Sequence, residues 1–179
     1  MSRSLKPLGP GTARFSACGT WRYELTRDLT AACTPRRGGG VLVSIGLNPS
    51  TATGDDDDPT VHKESFYTIA WGYVKFIKAN AYAFRATKPA DMFAARDRGI
   101  DIVGPGNDAA ILAAVDLVRQ QGGRVLVAWG RHIEPERQRA IARLLGPVPA
   151  YCIKPNKDGT PFHTCYSRND AVPVRWSCP

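Results

Sequence analysis

Val41-Leu42-Val43-Ser44-Ile45-Gly46-Leu47-Asn48-Pro49-Ser50, residues 41–50, decides how this chain is read. Its first half is a short β-branched run with no helical period, the pattern of a strand buried on both faces. Its second half ends that strand abruptly. Gly46 allows close backbone approach, Pro49 fixes the turn, and Asn48 is held between them with its amide at the strand end. The same pentapeptide also reads as an Asn-Pro turn initiator with no further role.

Working outward, Asp58-Pro59-Thr60 offers an N-cap residue followed by Pro at the first helical position, which predicts a helix from about Pro59 to Trp71 closed by Gly72. Tyr73 to Ala79 reads as a strand that breaks at Asn80, and Ala90 to Asp97 as a short helix. Gly104-Pro105-Gly106 is a turn; Ala109 to Gln121 has helix composition and closes at Gly122-Gly123. Val125 to Trp129 is a third buried strand, Pro135 to Leu145 a helix, and Ala150 to Ile153 a fourth strand. The order β-α-β-α-β-α-β predicts an α/β three-layer sandwich with a central four-stranded, mainly parallel sheet and helices on both faces. Upstream, Thr20 to Leu29 alternates as a strand of an edge hairpin and runs into a loop ending at Gly38-Gly39-Gly40. Residues 1–14, with Pro7, Gly9, Pro10 and Gly11, read as a flexible basic arm, which leaves 15–179 as one domain.

A chain of 179 residues with 43% hydrophobic residues supports one good core and not two. No apolar stretch of about 18 residues offers a membrane span, and the basic N-terminus lacks the apolar block of a secretory signal. A cytoplasmic monomer is expected. The five cysteines include no C-x-x-C pair and are odd in number, so free thiols in a reducing compartment are expected, with no metal and no cofactor.

The 24 Lys and Arg against 16 Asp and Glu leave a net charge of +8. Residues 1–40 hold seven of those cations (Arg3, Lys6, Arg14, Arg22, Arg27, Arg36, Arg37) against Glu24 and Asp28, and Arg131, Arg137, Arg139 and Arg143 form a second group. Clustered positive charge suits nucleic acid, through counterion release, or simply a solvated basic surface. The run Asp55-Asp56-Asp57-Asp58 opposes the first reading if it faces phosphates.

In parallel sheets the working residues gather at the C-terminal ends of strands. That selects Gly46 to Ser50, Asn80 to Arg85, Gly130 to His132, and the loop after Ile153 that contains His163. A buried Asn80 presents a donor pair and an acceptor, the complement of a pyrimidine edge, or else bonds its own loop. Arg85 suits a phosphate or a carboxylate such as Asp108. His163 suits donation to developing negative charge, or a plain surface role. Phe66, Tyr67, Trp71 and Trp129 read as core, with Phe66 or Tyr67 also suited to stacking on a base. Neither G-x-S-x-G nor either glycine-rich phosphate motif occurs, and Cys165 stands too near His163 for a nucleophile and base on separate elements.

Taken in order, these places resemble the uracil-DNA glycosylase superfamily over about residues 41–166. Gly46 to Ser50 resembles the G-x-N-P-G/S motif whose Asn positions the attacking water. Asn80 stands where that superfamily reads the pyrimidine edge. Val127-Ala128-Trp129-Gly130 is similar to its third-strand segment, and His163 stands near the motif whose His stabilises charge on the base. The chain is similar over nearly its whole length to a bacterial and phage family of unknown function. The matching stretches are Phe15 to Cys18, Arg22-Tyr23, Gly46 to Ala52, Asp57 to Val61, Asn80 to Thr87, Gly104 to Asp108, Ala128 to Gly130 and Pro161 to Tyr166.

The resemblance implies a base-flipping hydrolase that releases a uracil-like or modified pyrimidine, with Asn48 and His163 catalytic. Gly46, Leu47, Pro49, Ser50, Phe66 and Asn80 would bind the base, and Arg85, Arg131, Tyr166 and Arg168 would contact nucleic acid, with DNA as partner. Three departures bear on this. Thr164-Cys165 replaces the residues expected after the His, Asn48 stands where the fastest members have Asp, and Ser50 lacks the aromatic that excludes thymine. A non-catalytic nucleic-acid or nucleotide-binding protein is the alternative, and an enzyme of free nucleotides a third reading.

Overall fold

A computed structural model describes residues 4–34 and 39–179. Arg3, Arg36, Arg37 and Gly38, counted above in the basic segment and its loop, lie outside the described residues. The elements are β1 (Ala13–Phe15), β2 (Arg22–Asp28), β3 (Val41–Gly46), α1 (Pro59–Ala70), β4 (Lys75–Asn80), α2 (Pro89–Asp97), α3 (Asn107–Gln121), β5 (Gly123–Val127), α4 (Pro135–Leu145), β6 (Ala150–Cys152) and β7 (Val174–Trp176).

These strands form one mixed sheet in the order β1-β2-β4-β3-β5-β6-β7. The pairs β3 with β4, β3 with β5, and β5 with β6 are parallel, while β1 with β2, β2 with β4, and β6 with β7 are antiparallel. The sheet therefore has seven strands, not four. The sequence marks β2 by its alternation, but β1 and β7 are three residues each and acquire strand geometry only by pairing with β2 and β6. Residues expected to form a flexible arm make long-range main-chain contacts: the Leu5 N–H donates to Asp57 O at 2.8 Å, and the Asp28 N–H donates to Pro10 O at 2.8 Å.

The two faces of the sheet differ in chemistry. Val43, Ile45, Ile77, Ala79, Val125 and Val127 pack with Ile111, Val115 and Ile141 of α3 and α4 in the main core. On the other face Phe76 and Leu25 pack against Val61 of α1. Toward the strand ends this second face turns polar, with Ser44, Lys78 and Asn80 buried. The capping expectation for α1 is met: Asp58 Oδ1 accepts from the Thr60 and Val61 N–H groups at 2.9 Å each, and Pro59 begins the helix.

From β3 the chain crosses through α1 to β4 on one face, and from β5 through α4 to β6 on the other, in the opposite direction along the sheet. The loops therefore diverge at the C-terminal ends of the adjacent strands β3 and β5. Divergence opens a crevice there.

Candidate functional site

A cavity of about 650 Å³ occupies that crevice. Gly46, Leu47, Asn48 and Ser50 enter from the end of β3, Lys78 and Asn80 from β4, Trp129, Gly130 and Arg131 from beyond β5, and Phe162, His163, Cys165 and Tyr166 from the loop after β6. Asp58 to Val61 at the start of α1, and Arg22 of β2, complete one wall. Asn48, Asn80 and His163, far apart along the chain, thus share one cavity.

Asn80 forms its floor. The residue is 2% exposed, yet neither its amide nitrogen nor its amide oxygen has a hydrogen-bond partner. Two buried unpaired polar atoms are costly unless something enters to pair with them. Its main chain is held: Asn107 Nδ2 donates to Asn80 O at 3.0 Å and to Ala81 O at 3.1 Å, and Arg137 Nε donates to Ala81 O at 2.6 Å. Arg137 is itself oriented by Asp108 at 2.7 Å. Arg137, not Arg85, is the partner of Asp108.

Asn48 is oriented from one side only. Its Nδ2 donates to Ala86 O at 2.6 Å and to Pro49 O at 3.2 Å, which leaves the amide oxygen as an acceptor for the cavity. His163 Nδ1 accepts from the Cys165 N–H at 3.3 Å, so in the neutral ring Nε2 carries the proton. Burial, then the Lys78 ammonium, hold His163 below the usual imidazole value and favour that neutral form.

A buried charge cluster lies beneath His163, and the sequence reading missed it. Lys78 Nζ meets the Glu64 carboxylate at 2.7 and 3.0 Å and Ser44 Oγ at 3.3 Å, while Thr164 Oγ1 donates to Glu64 Oε1 at 2.6 Å. Thr164 therefore ties the His163 loop to α1 and β4. Gly46 makes room: a Cβ there would stand 2.8 Å from Lys78 Nζ and 3.0 Å from Asn80 Oδ1. The signal was present as a charged residue two positions before Asn80, on the same face of the strand as Asn80.

Phe66, Pro49, Arg85 and Arg168 fall outside the lining of the cavity. Phe66 is exposed on α1 and does not line it, because helical spacing turns Phe66 outward while Tyr67 is buried against the Arg168 segment. Phe162, with Trp129 and Tyr166, is one of the aromatics that line the cavity. Pro49 is buried and supplies a carbonyl to the Ala86 N–H at 3.0 Å. Arg85 lies over the Phe15 ring at 4.9 Å and donates to Gly19 O at 3.0 Å. Arg168 is exposed and forks onto Asp170, with both contacts at 2.9 Å. Arg131 and Tyr166 stand at the cavity, Tyr166 with 80% of its surface exposed.

The acidic run divides by function. Asp57 is buried against Arg27 at 2.6 Å, Asp58 caps α1, and Asp55 and Asp56 are exposed. Two of the four carboxylates are thus committed to internal contacts. The five cysteines are all free thiols. Among the described residues no helix is long and apolar enough to cross a membrane, and no group of three His, Cys, Asp or Glu side chains assembles to hold a metal ion.

No curated protein and no solved structure matches the chain. Residues 22–164 match the family described as "Protein of unknown function (DUF1643)", a span reaching from Arg22 at one wall of the cavity to Thr164 beneath the other, and the chain belongs to that family.

Proposed function

We propose that this protein is an N-glycosidase that releases a uracil-like or modified pyrimidine from DNA, using the cavity at the strand ends as its base pocket. The observation that carries the proposal is Asn80, buried at the cavity floor with a donor and an acceptor both unpaired. That is the complement a pyrimidine edge requires, and resemblance to the uracil-DNA glycosylase superfamily assigns the same task to this position. A flipped base entering the cavity would stack on Phe162 rather than Phe66.

Catalysis then follows from what the neighbours can do. As the C1′–N1 bond breaks, its electron pair moves into the base and the sugar gains oxocarbenium character. The neutral His163 donates from Nε2 to the developing anion, and Lys78, held by Glu64, adds positive potential nearby. Water accepted by Asn48 Oδ1 forms the new C1′–O bond, and its proton passes to solvent or to the departing base. The products are an abasic sugar and a free base, with no cofactor entering the balance.

A second reading, a binding protein that holds the base without hydrolysis, is supported by Asn48 itself, since an amide orients water but is a feeble base. Incubation with oligonucleotides carrying varied pyrimidines, followed by alkaline cleavage, separates the two. The glycosidase forms abasic sites on at least one base, and Asn48→Ala abolishes them while leaving binding within a few-fold. Full activity in Asn48→Ala would remove the water role, and no abasic sites with tight binding would favour the second reading. Free thiols fit a cytoplasmic location for this activity.

A further inference from the structure

Arg22 is the one wall of the cavity that base release leaves unexplained. Its side chain is 1% exposed, its Nη1 donates to Ala52 O at 2.7 Å, and its Nε has no hydrogen-bond partner. No carboxylate stands within ion-pair distance among the described residues, in contrast to the buried Arg27, which meets Asp57 at 2.6 Å. A buried guanidinium left this way favours an incoming anion, because its Nε donor is dehydrated without compensation. Burial, opposed by the nearby Asp58 carboxylate and reinforced by Arg85 and Arg27, lowers its pKa to about 10, which leaves it cationic at neutral pH.

Position places a phosphate beside the base. Arg22 stands on β2, next to β4, which carries Asn80, and both line the one cavity with Gly46 of β3. Neighbouring strands lie about 4.8 Å apart, so a base held at Asn80 leaves its sugar and phosphate within reach of the Arg22 wall. The first turn of α1 lines the same wall as Arg22, but Asp58 already accepts its Thr60 and Val61 N–H groups, so the free donors there are those of the guanidinium.

We infer that Arg22 is a phosphate-binding residue of this cavity, taking the phosphate of the same nucleotide whose base Asn80 reads. The inference rests on the proposed base pocket for the nucleotide, but the phosphate contact itself is testable without it. The shared chemistry is a phosphate oxygen on a guanidinium fork, and its source is either a free nucleotide or a strand.

Isothermal titration of the whole protein with inorganic phosphate, deoxyuridine, deoxyuridine 5′-monophosphate and a short deoxyuridine-containing single strand tests it, on wild type, Arg22→Gln and Arg22→Lys. Phosphate binding to wild type, lost in Arg22→Gln and partly kept in Arg22→Lys, is expected. The monophosphate should bind about tenfold or more tightly than the nucleoside in wild type, and that ratio should collapse in Arg22→Gln. Circular dichroism checks the fold; where Arg22→Gln is unfolded, Arg22→Lys carries the comparison, since a shorter ammonium cannot reproduce the fork and must still lower the ratio. A ratio unchanged by a folded variant overturns the inference, as does no phosphate binding by wild type. Phosphate binding that depends on Arg22, with no affinity for any base, would support the anion site while removing the base pocket. Preference for the strand over the monophosphate assigns a phosphodiester, and the reverse a free nucleotide; both retain Arg22 as the contact.

Discussion

His163 shows how one side chain acquires a role from its surroundings. Its ring is half-buried, its Nδ1 is occupied by the Cys165 N–H, and burial with the nearby Lys78 lowers its pKa. A histidine whose folded pKa is lowered below its unfolded value of about 6.5 gives stability that is full above that value. As pH falls through the lowered folded value, the unfolded chain binds the proton first and that stability is lost. Urea melts of wild type and His163→Gln between about pH 5 and pH 8 should show wild type losing more stability on the acid side. Equal pH profiles in the two proteins would mean that His163 is solvated like a free imidazole. Asn80 makes the complementary case, since its side-chain amide has no protein partner and its geometry is imposed by Asn107 and Arg137 below.

Among elements, α1 does the most to shape the site. Asp58 and Pro59 start it at the cavity, Val61 packs on Phe76 and Leu25, and Glu64, one turn further, meets Lys78 on the same face of the sheet. The same carboxylate holds Thr164, so one helical residue connects β4 with the loop that presents His163. Removing the charge from Glu64 would leave Lys78 buried and unpaired, a change that costs about 3–5 kcal/mol. Glu64→Gln should therefore lower stability by that amount in denaturant melts and slow base release beyond the fraction unfolded. A loss under about 1 kcal/mol would show that water reaches Lys78 and that the ion pair is a surface one in energetic terms.

The whole molecule is a cation of net charge +8 whose acidic run is partly withdrawn into its own structure. A strand bound across the cavity mouth, past Arg131, should then be held largely by counterion release. With roughly six phosphate contacts, affinity for an oligonucleotide should fall about 10³-fold between about 50 and 200 mM salt, whereas a free nucleotide should lose far less. Fluorescence anisotropy of a labelled strand measures this, and a flat salt response would direct attention to free nucleotides. How much of this molecule could be read without coordinates depends on the range of the physics involved. Local signals marked β3, α1, β4, α3, β5 and α4 near their true places, because β-branched runs, helical composition, Asp58 with Pro59 and the breaking glycines act over a few residues. Asn48, Asn80 and His163 were legible as polar residues at strand ends, and in the structure they share one cavity. The short strands β1 and β7, the Glu64, Lys78 and Thr164 cluster, the isolation of Arg22 and the presence of Phe162 rather than Phe66 in the cavity lining were decided only by tertiary structure. Each depends on which distant side chain fills the opposite side of a contact, and whether a charge is paired or orphaned is a property of that meeting, not of the residue.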